Sequence, residues 1–291
     1  MATSAPVKSD TVARGVLAGI AAAVIWSGWY VLARHGVTAG GLDPYDLAAL
    51  RFMVAAPVLM LMVRRIPFPM TKLPLALLMT LGVGPLFVIV VGHGFLLAPA
   101  LFGGAVSASS GVVFTLIGGV LFLDERLSRM QAGGIAITLL GLAWLAAVAG
   151  GSDHIGYFLT GGVLWAVYGI AFRRSGLTAL EAVTTVALIS ALIYLPLYFW
   201  MAGARMLAAA PRELVLQGLG QGVLTGIVAL ALHACAVASL GAIKGALFQS
   251  LVPAFTLILA AVFLGEIPGL AEVAAILIIL WGVYTALKYR T

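Results

Sequence analysis

From Leu73 to Leu123 the chain carries no Asp, Glu, Lys or Arg. A folded surface in water does not tolerate a charge-free stretch of that length. A bilayer demands one, because about 20 mostly apolar residues are needed to cross its hydrocarbon core. The stretch is long enough for two crossings, so "LLAPALFGG" near residue 98 is expected to be a tight helical hairpin. A second tight turn is expected at "ASLGAIKG" near residue 240.

The rest of the chain follows the same rule. Charged residues make up 9% and hydrophobic residues 63% of the 291 positions, whereas an ordinary soluble domain is about 25% charged. The mean hydropathy is +1.16. The sequence therefore predicts an all-α integral membrane protein with ten transmembrane helices. They fall near 15–34, 45–63, 73–96, 98–122, 129–149, 154–172, 179–201, 213–237, 241–264 and 269–287. Short polar punctuation separates them, as in "RHGVTAGGLDP", "RRIPFPMTK" and "DERLSR". The first apolar run carries Trp26, Trp29 and Tyr30. It is too long and too aromatic for a signal-peptide core and reads as an uncleaved span.

The formal charge of +6 is explained by topology, not by nucleic acid. Eleven of the sixteen Lys and Arg fall on the N-terminal side of the membrane and three on the other, with Arg51 and Lys244 inside spans. Basic loops stay in the cytoplasm, so both termini are expected there, as an even number of spans requires. The expected setting is a cytoplasmic membrane, with the lipid bilayer as partner and a monomer or weak homodimer as the unit. Cys235 is the only cysteine, which excludes an intramolecular disulfide. No cofactor and no metal are expected.

Two pentapeptides carry the most information about architecture. "LFLDE" ends at Glu125 and "VFLGE" ends at Glu266, 141 residues apart. At that offset "GGAVSASSGVVFTLIGGVLFLDE" lies over "KGALFQSLVPAFTLILAAVFLGE". Upstream, "VIWSGWYVLARHG" resembles "GVLWAVYGIAFRRSG", with Trp26 over Trp165. The chain thus divides into a tail (1–14), a five-span repeat (15–149), a second five-span repeat (154–287) and a short tail (288–291). An odd number of spans per repeat inverts the halves, and inverted repeats build secondary transporters with a midplane site where the halves meet. Each glutamate ends the fourth span of its repeat. There it is expected to act as a helix-end and turn residue, close to the positive N-terminal end of the fifth span.

Ten spans in two inverted halves, with Pro253 and Glu266 in the fourth span of the second, resemble the drug/metabolite transporter superfamily in its EamA branch. The likeness covers nearly the whole chain, although Val112 stands where the first repeat would match Pro253. It implies export of amino acids or related metabolites and is nearest to the aromatic amino-acid exporter type. A drug or nucleotide-sugar carrier is the alternative, but a nucleotide sugar calls for more deep cations than Arg51 and Lys244.

Several side chains are candidates for the substrate cavity. Trp26 with Tyr30, and Trp165 with Tyr168, share helix faces near mid-span, where they serve packing or line a cavity. Ser107 and Ser110 are interhelical glue or cavity polar groups. Gln249 is a mid-span amide that needs a partner or water. His93, His233, Lys244 and Arg51 are intramembrane ionisable groups, which are functional candidates by default, although Lys244 and Arg51 lie near span ends and can snorkel. No Asp or Glu falls at mid-span. That argues for facilitated export, with His as the only proton relay. Neither an HExxH nor a GxSxG pattern occurs in the spans, so no catalytic residue is expected and the chain does not read as an enzyme.

Overall fold

A computed structural model of the chain describes residues 9–62, 72–148, 154–241, 245 and 247–288. Among the described residues nine helices are long and apolar enough to cross a membrane, and a shorter apolar helix is the tenth. In chain order they are α1 (Ser9–Thr38), α2 (Pro44–Met62), α3 (Leu73–Leu97), α4 (Ala100–Leu123), α5 (Arg129–Val148), α6 (Ile155–Ser175), α7 (Ala179–Ala202), α8 (Pro211–Leu240), α9 (Phe248–Leu264) and α10 (Leu270–Lys288).

The helices pair in a repeated pattern. Packing of α1 on α8 is matched by α6 on α3, α1 on α9 by α6 on α4, and α2 on α8 by α7 on α3. The pairs α2–α7 and α5–α10 join equivalent helices of the two halves. Helix association in lipid depends on close van der Waals packing, which small residues permit. Gly82 of α3 shows the scale. A Cβ there would stand 2.6 Å from both Leu164 O and Tyr168 N on the backbone of α6. Along α5–α10, a Cβ on Gly282 would stand 2.5 Å from Thr138 N. The glycines of α8 serve the same end in part. Gly218 and Gly222 face Val54 of α2, whereas a Cβ on Gly226 would meet only Gln221 O of its own helix.

The third helix of each repeat is irregular at equivalent places. In α3 the helix breaks at Gly84, whose ψ of −151° leaves the helical region, and restarts at Pro85, because proline supplies no N–H to continue the ladder. In α8, Gly218–Val228 forms a wide π-turn segment, and the Thr225 hydroxyl donates to Gly220 O, five residues back, at 2.8 Å. The fourth helices differ. In α4, Gly103–Ser107 is π-helical. In α9 a 3₁₀ turn, Phe248–Leu251, leads into the α-helix Val252–Leu264. Pro253 therefore occupies the first turn of that α-helix and does not interrupt the segment that follows. A missing N–H costs nothing there.

The two pentapeptides have a common end geometry. Asp124 (φ 55°) and Gly265 (φ 68°) both adopt the left-handed conformation that terminates a helix. The N–H of Glu125 then bonds back to Gly119 O, and that of Glu266 to Ala260 O.

Candidate substrate site

The inward faces of α1 and α6 carry the aromatic residues predicted from the repeat. Trp26 and Trp165 are both partly exposed although they stand on inward faces. Trp26 lies against the His233 ring of α8, with centroids 5.2 Å apart, and Trp165 approaches Phe87 of α3 at 6.3 Å. Phe87 also stacks on Trp29 at 5.4 Å, and Trp165 meets Tyr168 at 5.9 Å. One continuous ring surface thus runs from α1 through α3 to α6. Tyr30 sits behind it, edge-on to Trp29 and Phe95.

A short polar chain borders this surface. The Trp29 indole donates to Gln221 Oε1 at 3.3 Å. The Gln221 amide donates to Gln217 Oε1 at 2.8 Å, and Gln217 donates to Leu32 O at 2.9 Å. Both glutamines are fully buried. Arg51 of α2 places its guanidinium carbon 5.8 Å from the Trp29 ring centroid and 5.8 Å from that of Phe52.

The other predicted residues divide between this surface and elsewhere. His233 packs against Trp26, and its buried Nδ1 has no hydrogen-bond partner among the described residues. His93 lies elsewhere. Its Nδ1 bonds Ile89 O, and its ring lies between Tyr45 and Tyr157, both of which are exposed on the bundle exterior. The two histidines are one position out of register in the repeat, and one residue turns a helix by about 100°. Ser107 and Ser110 lie in the α4–α6 seam, opposite Gly161 and Gly162, which is a packing position. Gln249 is partly buried in the 3₁₀ turn of α9. Lys244 lies outside the described residues.

At each end of the bundle an ion pair joins the two halves. At one end Arg34 of α1 donates to Glu266 after α9 at 3.0 Å, and to Phe95 O. The second Glu266 oxygen accepts the Ala100 N–H at 2.7 Å. At the other end Arg173 of α6 pairs with Glu125 after α4, and Arg174 donates to Phe122 O. Arg34 and Arg173 are repeat mates, as are Glu125 and Glu266. Glu266 therefore caps the first turn of α4 in the opposite half, not the following helix α10. The sequence could not show this, because the partner is 166 residues away. A third cluster lies on the Arg34–Glu266 side. Arg205 pairs with Asp43 and Asp46, and Tyr198 donates to Asp46. Burial works against the Arg205 charge, but the hydrogen bond and charge of Asp46, with Asp43 beside it, outweigh that and raise its pKa above the usual value.

One groove of about 440 Å³ lies on the bundle exterior between α1 and α8. It is lined by leucines such as Leu216, Leu219 and Leu224, which are exposed, so it faces acyl chains and not the aromatic surface. Ten helices in two halves, with an aromatic interior and cross-half ion pairs at both ends, define a membrane transporter. The profile of the EamA-like transporter family matches residues 13–147 and again 154–287. The chain belongs to that family, and it is a transporter and not an enzyme. A solved crystal structure of a protein 19% identical to it superposes with a TM-score of 0.63, over 95% of this chain and 97% of that one. That likeness shows the shared fold. No curated protein matches the chain.

Proposed function

We propose that this transporter exports amino acids, aromatic ones included, or related small metabolites across the cytoplasmic membrane. Both termini are cytoplasmic, and transport proceeds by alternating access around Trp26 and Trp165, with the buried rings of Trp29 and Phe87 packed beside them. The observation that carries this reading is the pairing of Trp26 with Trp165. Two repeat-related indoles stand partly exposed on the first helix of each half, and the halves of such folds hold their substrate between them. Indole faces suit the apolar body of an aromatic amino acid or a cation, the latter with a contribution of about 0.5–2 kcal/mol. Domain limits at 15–149 and 154–287 belong to the same reading, since each half supplies one indole.

The test is flux of an amino-acid panel in proteoliposomes for Trp26→Ala, Trp165→Ala and the two Phe variants, with thermal stability measured on the same preparations. The reading expects Ala variants that stay folded but transport poorly, and Phe variants with milder loss and altered preference. Equal loss for every substrate, tracking stability, would reduce the two indoles to packing.

A further inference from the structure

Arg51 has no ion pair or hydrogen bond among the described residues, yet it stands deep in a span. It is seven residues in from Pro44, about 10 Å along the helix axis. It is on the inward side. Met60, nine residues on and half a turn around the helix, is 59% exposed to the outside, whereas the Arg51 guanidinium lies over buried Trp29. Arg51 is itself partly exposed, so its guanidinium is not sealed off by packing. It does not reach to the helix end. Asp46, the acid of its own helix, is already taken by Arg205 and Tyr198.

An unpaired charge inside a membrane is expensive, and such residues persist where they meet an ion or substrate. The packing symmetry does not require it. The offset of 139 that superposes Trp26 on Trp165 puts Ser190 at the equivalent place in α7. We infer that Arg51 is the seat of an anionic group, a carboxylate in the simplest case, on the transported molecule. A guanidinium presents a planar fork that matches a carboxylate with two parallel hydrogen bonds. Trp29, under the guanidinium, is itself buried, so the apolar body falls to the partly exposed indole of Trp165, linked to Trp29 through Phe87. No acid stands at mid-span to receive an ammonium. The site therefore selects for the carboxylate and not for the amine, so amine-free aromatic acids are substrates as well as amino acids. This rests on the aromatic surface being the transport site.

The experiment uses purified full-length protein in nanodiscs, wild type, Arg51→Gln and Arg51→Lys, with binding read by thermal shift and intrinsic fluorescence. The probes are 3-phenylpropanoate, phenylalanine, 3-phenylpropanamide and phenethylamine. Wild type is expected to bind the two carboxylates at least about tenfold more tightly than the amide and the amine, the size of one charge-assisted pair. Arg51→Gln should abolish that preference while melting within a few degrees of wild type, and Arg51→Lys should keep part of it. Equal binding of acid and amide by wild type, or a preference that survives in folded Arg51→Gln, overturns the anion seat and leaves the aromatic site standing. Acetate, which lacks an aromatic body, separates the two readings. A saturable acetate response that Arg51→Gln removes supports the anion seat even if all four aromatic probes fail. Identical acetate titrations of the two proteins overturn it.

Discussion

The two cross-half ion pairs make a prediction with a sign. Glu266→Gln keeps the shape of the side chain but removes its charge. In the structure that carboxylate accepts from Arg34 at 3.0 Å and from Ala100 N at 2.7 Å. The amide oxygen of Gln keeps one of these bonds in neutral form and loses the other. A hydrogen bond to a charged group contributes about 1.5–3 kcal/mol, and an exposed ion pair contributes only about 0–1 kcal/mol. The Arg34 and Glu266 side chains are 21% and 15% exposed, so a loss near 2 kcal/mol is expected, which is a shift of about 30-fold between conformations. If the cluster holds its end of the bundle shut, the loss favours the state open at that end. The assay is the rate of maleimide labelling of Trp26→Cys, in a Cys235→Ser background, from each side of oriented vesicles. Glu266→Gln should raise labelling from the Arg34 side and lower it from the other, and Glu125→Gln should do the reverse. Equal increases from both sides would mean general loosening, and no change would mean that the ion pairs do not gate. Either result refutes the reasoning.

Three further outcomes are expected. Gly82→Ala should destabilise the bundle by about 1–3 kcal/mol through overpacking, because the new Cβ meets backbone atoms at 2.6 Å that cannot move aside; Gly28→Ala, with nothing within 4 Å, should be neutral or slightly stabilising, and equal melting of the two variants would contradict the close-packed seam. Transport in proteoliposomes should need no imposed proton gradient, and His93→Ala, placed at the exterior, should leave flux near wild type; gradient-driven accumulation abolished by His93→Ala would make that histidine a relay. Cysteines at Leu207 and Ile267, which are 66% and 85% exposed, should react from outside the cell, and one at Leu127 from the cytoplasm; the opposite pattern would invert the topology.

The helices were legible because hydropathy registers whether a segment lies in lipid, which is a property of the whole segment. The inverted repeat was legible because two fourth helices kept the same end, "LFLDE" and "VFLGE", and the structure shows why. Asp124 and Gly265 both turn left-handed there. Facing was much less legible. The repeat offset drifts between 139 and 141 along the chain, and an error of one residue rotates a side chain by about 100°. That is why His93 and His233, 140 residues apart, do not share a setting: His93 faces Tyr45 and Tyr157 instead of an indole. Whether Arg51 snorkels or serves the interior stayed open in the sequence, because depth along a span can be counted, whereas direction around it depends on which neighbour packs there. The partners of Glu266 were out of reach for another reason. They lie on α1 and α4, and only the assembled bundle brings those helices together.

What the duplication repeats and what it leaves single have different physical origins. The left-handed fourth-helix ends, the irregular third helices and the Arg–Glu pairs recur in both halves. Each solves a problem of helix termination or association that inversion poses twice. Some of the residues that differ between halves lie on the interior face. Arg51 stands against Ser190, Trp29 against Tyr168, and Gln249 against Ala108 at their respective offsets. A substrate with a charged end and an apolar end has no two-fold axis, so a site fully symmetric about the membrane plane would hold it equally well in two opposed orientations. Breaking the symmetry at a few interior positions fixes one orientation while the scaffold keeps the two-fold relation that lets it rock between states. On the proposed function, the unrepeated interior residues are therefore where specificity is expected to be set. Arg51 is the one among them whose charge has no counterpart in the opposite half.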